Sequence, residues 1–105
     1  MSVGTVVELR PRIARGWLQK LLGLIGRREA GPGLLLVGCR WVHTWCMRFG
    51  IDAVYLDEEG IVLRVACLEP WLVGPLVRGA RAVLELNMGE AQRLGIRRGT
   101  KIRLG

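Results

Sequence analysis

The residues best suited to chemistry sit close together. Cys39, His43 and Cys46 recur at i, i+4 and i+7, with Met47 beside them and Cys67 further on as additional soft donors. On a helix that spacing would line one face and suit a metal ion. The surrounding composition, Trp41-Val-His-Thr-Trp45, favours a strand instead, and a strand sends His43 and Cys46 to opposite faces. Cysteines acting as small buried hydrophobes are then the simpler reading, and no metal or other cofactor is expected. Nucleophilic catalysis meets the same obstacle, since His43 cannot activate Cys46 from the other side of a strand. The only serine is Ser2. An acid–base pair would have to be drawn from Asp52, Asp57 and Glu85. No glycine-rich segment is completed by the lysine and hydroxyl of a phosphate loop. Catalysis is therefore not the expectation.

These residues belong to one dense stretch, Val42 to Asp57, which holds the chain's only histidine, tyrosine and phenylalanine. It reads as two short strands bent at Gly50. His43, Trp45 and Met47 share one face with Trp41, and Arg48 stands four residues before Asp52 across the bend. An Arg48–Asp52 ion pair holding that bend is expected. If the stretch carries a site, His43, Trp45, Met47, Arg48 and Asp52 are its candidate ligand-binding residues. The competing reading places Trp45 and Met47 in the core and makes His43 a hydrogen-bonded core residue.

The elements around this stretch follow from pattern. Val3 to Leu9 is a short strand, interrupted by Pro11. Ile13, Trp17 and Leu21 recur every four residues beside Ala14, Leu18 and Leu22, which predicts an amphipathic helix ending near Gly23 or Gly26. Leu34 to Val37 is a continuous apolar run and a buried strand. Ile51 to Leu56 and Ile61 to Leu68 form a hairpin about the acidic turn Asp57-Glu58-Glu59-Gly60. Pro70, Gly74, Pro75 and Gly79 forbid a long regular element before the strand Ala82 to Leu86. Asn87 then caps a short helix, with Glu90 completing a capping box, and Lys101 to Leu104 is a final strand.

Two segments, H-T-W-C-M-R-F-G-I-D-A-V-Y-L-D-E-E-G and A-V-L-E-L-N-M-G-E-A-Q-R-L-G-I-R-R-G, resemble the uncharacterised prokaryotic family catalogued as domain of unknown function 192. Ala14-Arg15-Gly16 and Gly33-Leu34-Leu35 match its pattern ahead of them, so the resemblance spans nearly the whole chain. Three positions depart from the pattern: Trp45 replaces Phe, Gly50 replaces Pro, and Thr100 replaces an Asp that could pin the last turn. The resemblance implies a mainly β fold, barrel-like or sandwich-like, with short helices. It implies no activity.

Composition sets the remaining bounds. The 105 residues suffice for one domain with its own core, and half are apolar. Sixteen Lys plus Arg against nine acids give a net charge of +7, carried almost wholly by arginine. Such a surface favours polyanions, yet the arginines are dispersed and lack aromatic platforms. Three cysteines argue against a secreted disulfide framework. Neither a membrane span nor a signal peptide is legible, so the cytoplasm is the expected compartment. The expected function is a non-catalytic β domain that binds a small molecule or a protein partner. The alternative is a weak nucleic-acid-binding module using the basic surface.

Overall fold

The computed structural model describes residues 5–14, 33–38, 50–69 and 74–104. The fold is mainly β. The described residues form seven strands: β1 Val6–Leu9, β2 Arg12–Ala14, β3 Leu34–Val37, β4 Ile51–Leu56, β5 Val62–Leu68, β6 Ala82–Asn87 and β7 Lys101–Leu104. A single helical turn, α1 (Glu90–Arg93), separates β6 from β7. Five strands make one sheet in the order β2-β3-β6-β4-β5, and β1 pairs with β7 in a second. β1–β7 and β2–β3 are parallel, while the other pairs are antiparallel. The arrangement is sandwich-like, and the described strands do not close into a barrel.

Strand β4 explains the layering. It lies between β6 and β5, and all six of its residues are buried. A strand buried on both sides requires cover on both faces of the sheet. On one face Ile51, Ala53 and Tyr55 join Leu34, Leu36 and Val83 in a core that also takes in Leu63, Ala66 and Val77. On the other, Val54 and Leu56 join Leu35, Leu84, Leu86, Ala91, Ile96 and Ile102. Val7 and Leu9 pack against this second cluster, which places the β1–β7 ribbon and α1 over the same face.

The β4–β5 hairpin forms as its sequence requires. The Oδ1 of Asp57 accepts from the backbone N–H of Glu59 at 2.8 Å and of Ile61 at 2.9 Å. Asp57 is thus an Asx-turn residue holding the connection, not half of an acid–base pair. Gly60 has φ +81°, and a Cβ there would lie 2.8 Å from the carbonyl oxygen of Ile102. The glycine supplies a left-handed conformation and also lets β7 approach, where the N–H of Ile102 donates to its carbonyl. Gly60→Ala should therefore cost about 2 kcal/mol by chemical denaturation, combining left-handed strain with a backbone clash. A loss within experimental error would contradict this assignment.

Three local expectations are corrected. Ile13 and Ala14 do not begin a helix; with Arg12 they form β2, paired to Leu34, Leu35 and Leu36, and the N–H of Arg12 donates to the Gly33 carbonyl at 3.0 Å. A helical stripe cannot compete there with a ready-made ladder on the edge of a sheet. The remainder of that expected helix, 15–26, lies outside the described residues. Asn87 does not cap α1 but is the last residue of β6, and the N-cap position is Gly89, with no cap from its own side chain. Thr100 does not leave the last turn unpinned: its buried Oγ1 accepts the N–H of Arg97 at 3.0 Å. The hydroxyl does there what the family's carboxylate was expected to do.

Candidate functional site

Asp52 is the one candidate site residue within the described portion; His43, Trp45, Met47 and Arg48 lie outside it, as do Cys39 and Cys46. Its backbone sits in β4 between Cys67 of β5 and Leu86 of β6. The side chain is only 4% exposed, on the face covered by α1. There its Oδ2 accepts two backbone N–H groups, from Gly89 and from Ala91, each at 3.0 Å. A helix start with no cap of its own is thereby capped from a strand 37 to 39 residues away in sequence. The expected partnership with Arg48 involves a residue outside the described portion. The partners observed for Asp52 are the backbone amides of Gly89 and Ala91 and the Cys67 thiol.

This cap helps to shape an open cleft of ≈ 690 Å³. Asp52, Val65 and Cys67 form one wall, and the chain from Met88 to Arg97 forms the other. Ala91 and Ile96 give the second wall an apolar character, while Gln92, Arg97 and Thr5 add polar groups. Gly50, at the entry to β4, lets the Met88 side chain and the Leu68 carbonyl lie close against the backbone. A Cβ there would run into the Met88 side chain and lie 2.9 Å from the Leu68 carbonyl oxygen. This is a reason for glycine at a position where the resemblance leads one to expect proline.

Cys67 reaches solvent at the cleft. Its thiol is nonetheless held above the ordinary range, first by partial burial, then by its hydrogen bond to Asp52 and by the charges of Asp52 and Glu69. A protonated thiol is a poor nucleophile and a poor metal ligand. Among the described residues, no three of the His, Cys, Asp and Glu side chains come together as a metal cluster. The three carboxylates considered for acid–base work are also separated. Asp57 holds the hairpin turn, whereas Asp52 and Glu85 project from opposite faces of the large sheet.

Glu85 belongs to a second, more enclosed polar setting. It stands opposite Ala53 in β4, and Tyr55 stands opposite Val83, so the two are diagonal neighbours on one face. Glu85 is 3% exposed and Tyr55 0%. Burial pushes the Glu85 carboxyl up to about 8. Burial likewise pushes the Tyr55 phenol up to about 12, with Arg64 opposing and Glu85 reinforcing the shift. The Tyr55 hydroxyl has no hydrogen-bond partner. The sequence signal for this setting was a lone acid inside the apolar run A-V-L-E-L; Tyr55 carried no signal of its own, because an aromatic in a strand is ordinary core.

The fold and cleft define a small, mainly β domain with a mixed five-stranded sheet and a shallow ligand-sized groove. The chain belongs to the DUF192 family, described as "Uncharacterized ACR", whose model matches residues 2–104. Two solved structures are similar. One, from Novosphingobium aromaticivorans DSM 12444, is described as a protein of unknown function; it is 26% identical at a TM-score of 0.77, covering 87% of this chain and 71% of that one. The other, from Sinorhizobium meliloti 1021, is described as a "putative transcription regulator"; it is 28% identical at a TM-score of 0.70, covering 83% of this chain and 74% of that one. No curated protein matches the chain. None of the described helices is long and apolar enough to cross a membrane.

Proposed function

We propose that this domain is a non-catalytic binding module that takes a small molecule in the cleft between β5 and the Met88–Arg97 segment. The observation carrying this reading is the cleft itself. Its ≈ 690 Å³ falls within the range of small-molecule sites, and its wall combines apolar groups with a few polar ones. Val65, Met88 and Ile96 suit an apolar body. Arg97 and Gln92 suit an acidic or hydrogen-bond-accepting head group, and the net charge of +7 favours the same sign. The compartment assigned to this function is the cytoplasm.

The test is an NMR titration of the folded chain with a library of small organic acids. Saturable shift changes confined to β5 and Met88–Arg97 are expected for at least one compound. Arg97→Ala should weaken that compound's binding at least tenfold, a loss of about 1.4 kcal/mol. Its backbone N–H, which serves the turn through Thr100, is untouched by the substitution. Binding unaffected by Arg97→Ala, or no saturable compound, would count against the cleft. A protein partner is the other form of this reading and would produce broad shifts over a larger surface.

A second reading rests on the arginine excess and on the description carried by the Sinorhizobium relative. It is a nucleic-acid-binding module, and phosphate contacts alone would make its binding weak, sequence-indifferent and steeply salt-dependent. Sequence-discriminating binding at physiological salt would move this reading to first place.

A further inference from the structure

The cleft carries opposite charges towards its two ends. Among the described residues, its charged lining is Arg97 and Asp52. Backbone bonds fix where each of them stands. The turn that holds Arg97 is tied to the start of β5: the N–H of Gly99 donates to the Val62 carbonyl and that of Val62 to the Thr100 carbonyl, both at 2.8 Å. The Met88 end of the same wall is tied to Asp52 through the amides of Gly89 and Ala91. Asp52 in turn stands opposite Cys67, near the far end of β5. The backbone thus places Arg97 towards the Val62 end of the cleft and Asp52 at the Cys67 end.

The negative end is reinforced by a second carboxylate. Glu69, exposed, follows two residues after Cys67. Burial, the hydrogen bond to Asp52 and then the charges of Asp52 and Glu69 hold the Cys67 thiol above its ordinary range. A field that disfavours a thiolate there favours an ammonium group at the same place. At the other end Arg97 is exposed, and Thr5 and Gln92 stand with it in the lining.

We propose that the ligand of the cleft is a linear zwitterion, with its carboxylate received at Arg97 and its ammonium group at the end bearing Asp52 and Glu69. This deepens the small-molecule reading above and rests on it. Asp52 is buried and its Oδ2 is taken by two amides, so it acts on the ligand through its charge. Glu69, at the surface, is the carboxylate that an ammonium group can approach directly. Between the two ends, Val65, Ala91 and Ile96 offer apolar surface to a methylene chain. Val65 and Cys67 are about 7 Å apart along the strand, and an extended ω-amino acid of about five methylenes separates its charges by a similar length. A simple anion would satisfy Arg97 and leave only its tail at the negative end. A simple cation would meet the like charge of Arg97.

The experiment titrates the full chain, followed by NMR shift, with β-alanine, γ-aminobutyrate and ε-aminocaproate. Caproate and hexylamine serve as singly charged counterparts of the last. The expected result is saturable binding of ε-aminocaproate, with shifts at Val65, Cys67, Gln92 and Arg97 and an affinity at least tenfold above both counterparts. β-Alanine, too short to span the two ends, should gain no such advantage. Arg97→Ala should weaken ε-aminocaproate and caproate alike. Glu69→Gln should remove the preference for ε-aminocaproate over caproate, and Glu69→Lys should reverse it. Both change an exposed side chain, and wild-type shifts away from the cleft check that each variant is folded.

Caproate binding in the cleft as tightly as ε-aminocaproate would overturn the zwitterion and leave the small-molecule reading standing. So would a preference that survives both Glu69 variants. Saturation by none of these compounds would also overturn it, while any acid of the wider library that saturates β5 and Met88–Arg97 would still keep the cleft.

Discussion

Asp52→Ala is expected to destabilise the fold by about 3 kcal/mol, since two hydrogen bonds to a carboxylate are lost and a buried N–H is stranded. For a domain near 100 residues, such a loss lowers the melting temperature by roughly 10–20 °C. The physical reason is local. The carboxylate caps the start of α1, whose N-cap residue supplies no side-chain bond, and the N–H of Ala91 that it accepts is buried. Removing it leaves that amide without water or protein partner and frees the Met88–Arg97 wall of the cleft. Asp52→Asn retains a carbonyl oxygen at the same place and should lose less than half as much. An unchanged melting temperature for Asp52→Ala would show that the cap is not structural and would return Asp52 to the list of ligand-binding residues.

Glu85→Gln is expected to act in the opposite direction, and only at higher pH. Burial raises the folded-state pKa of Glu85 from the ordinary carboxyl value of 4.5 to about 8. A carboxyl raised on folding binds its proton more tightly in the native state. Its contribution is therefore fully present below the unfolded pKa, falls as pH rises through the window from about 4.5 to 8, and is lost above it. Wild-type stability should decline across that window by on the order of 3–5 kcal/mol relative to Glu85→Gln, whose amide does not titrate. Denaturation curves at pH 5 and pH 9 check this. The two proteins should differ least at the acid end, and the variant should be the more stable at the alkaline end. Parallel pH profiles would mean that Glu85 ionises freely in the folded protein.

Placing these two carboxyls together shows how one sheet can hold two buried acids in different settings. Adjacent positions on paired strands, Asp52 with Leu86 and Ala53 with Glu85, send their side chains to opposite faces. One carboxyl thus serves the α1 wall of an open cleft, and the other serves an enclosed face with Tyr55. A one-residue register slip between β4 and β6 would exchange these roles. The apolar residues on both faces oppose such a slip, because it would misplace the whole buried pattern of β4.

The sequence by itself determined the mainly β class, the buried strand Leu34–Val37, the hairpin about Asp57–Gly60 and the family. These depend on short-range signals: apolar runs, β-branched content, an aspartate followed by a glycine in a turn, and a long ordered set of motifs. Only the tertiary structure decided which strands pair. β6 inserts between β3 and β4, and β1 runs parallel to β7 although nearly the whole chain separates them. It also decided what Asp52 does. An aspartate four residues after an arginine suggests a local ion pair, whereas Gly89 and Ala91 lie 37 and 39 residues on and donate through backbone groups that no side-chain pattern advertises. The Asn87–Glu90 capping box failed for the same reason: Asn87 was already committed to the β6 ladder, where the long-range pairing with Ile51 outweighs a local cap. Period-two alternation fixes which residues share a face within a strand, but the neighbour across that face is chosen by the fold.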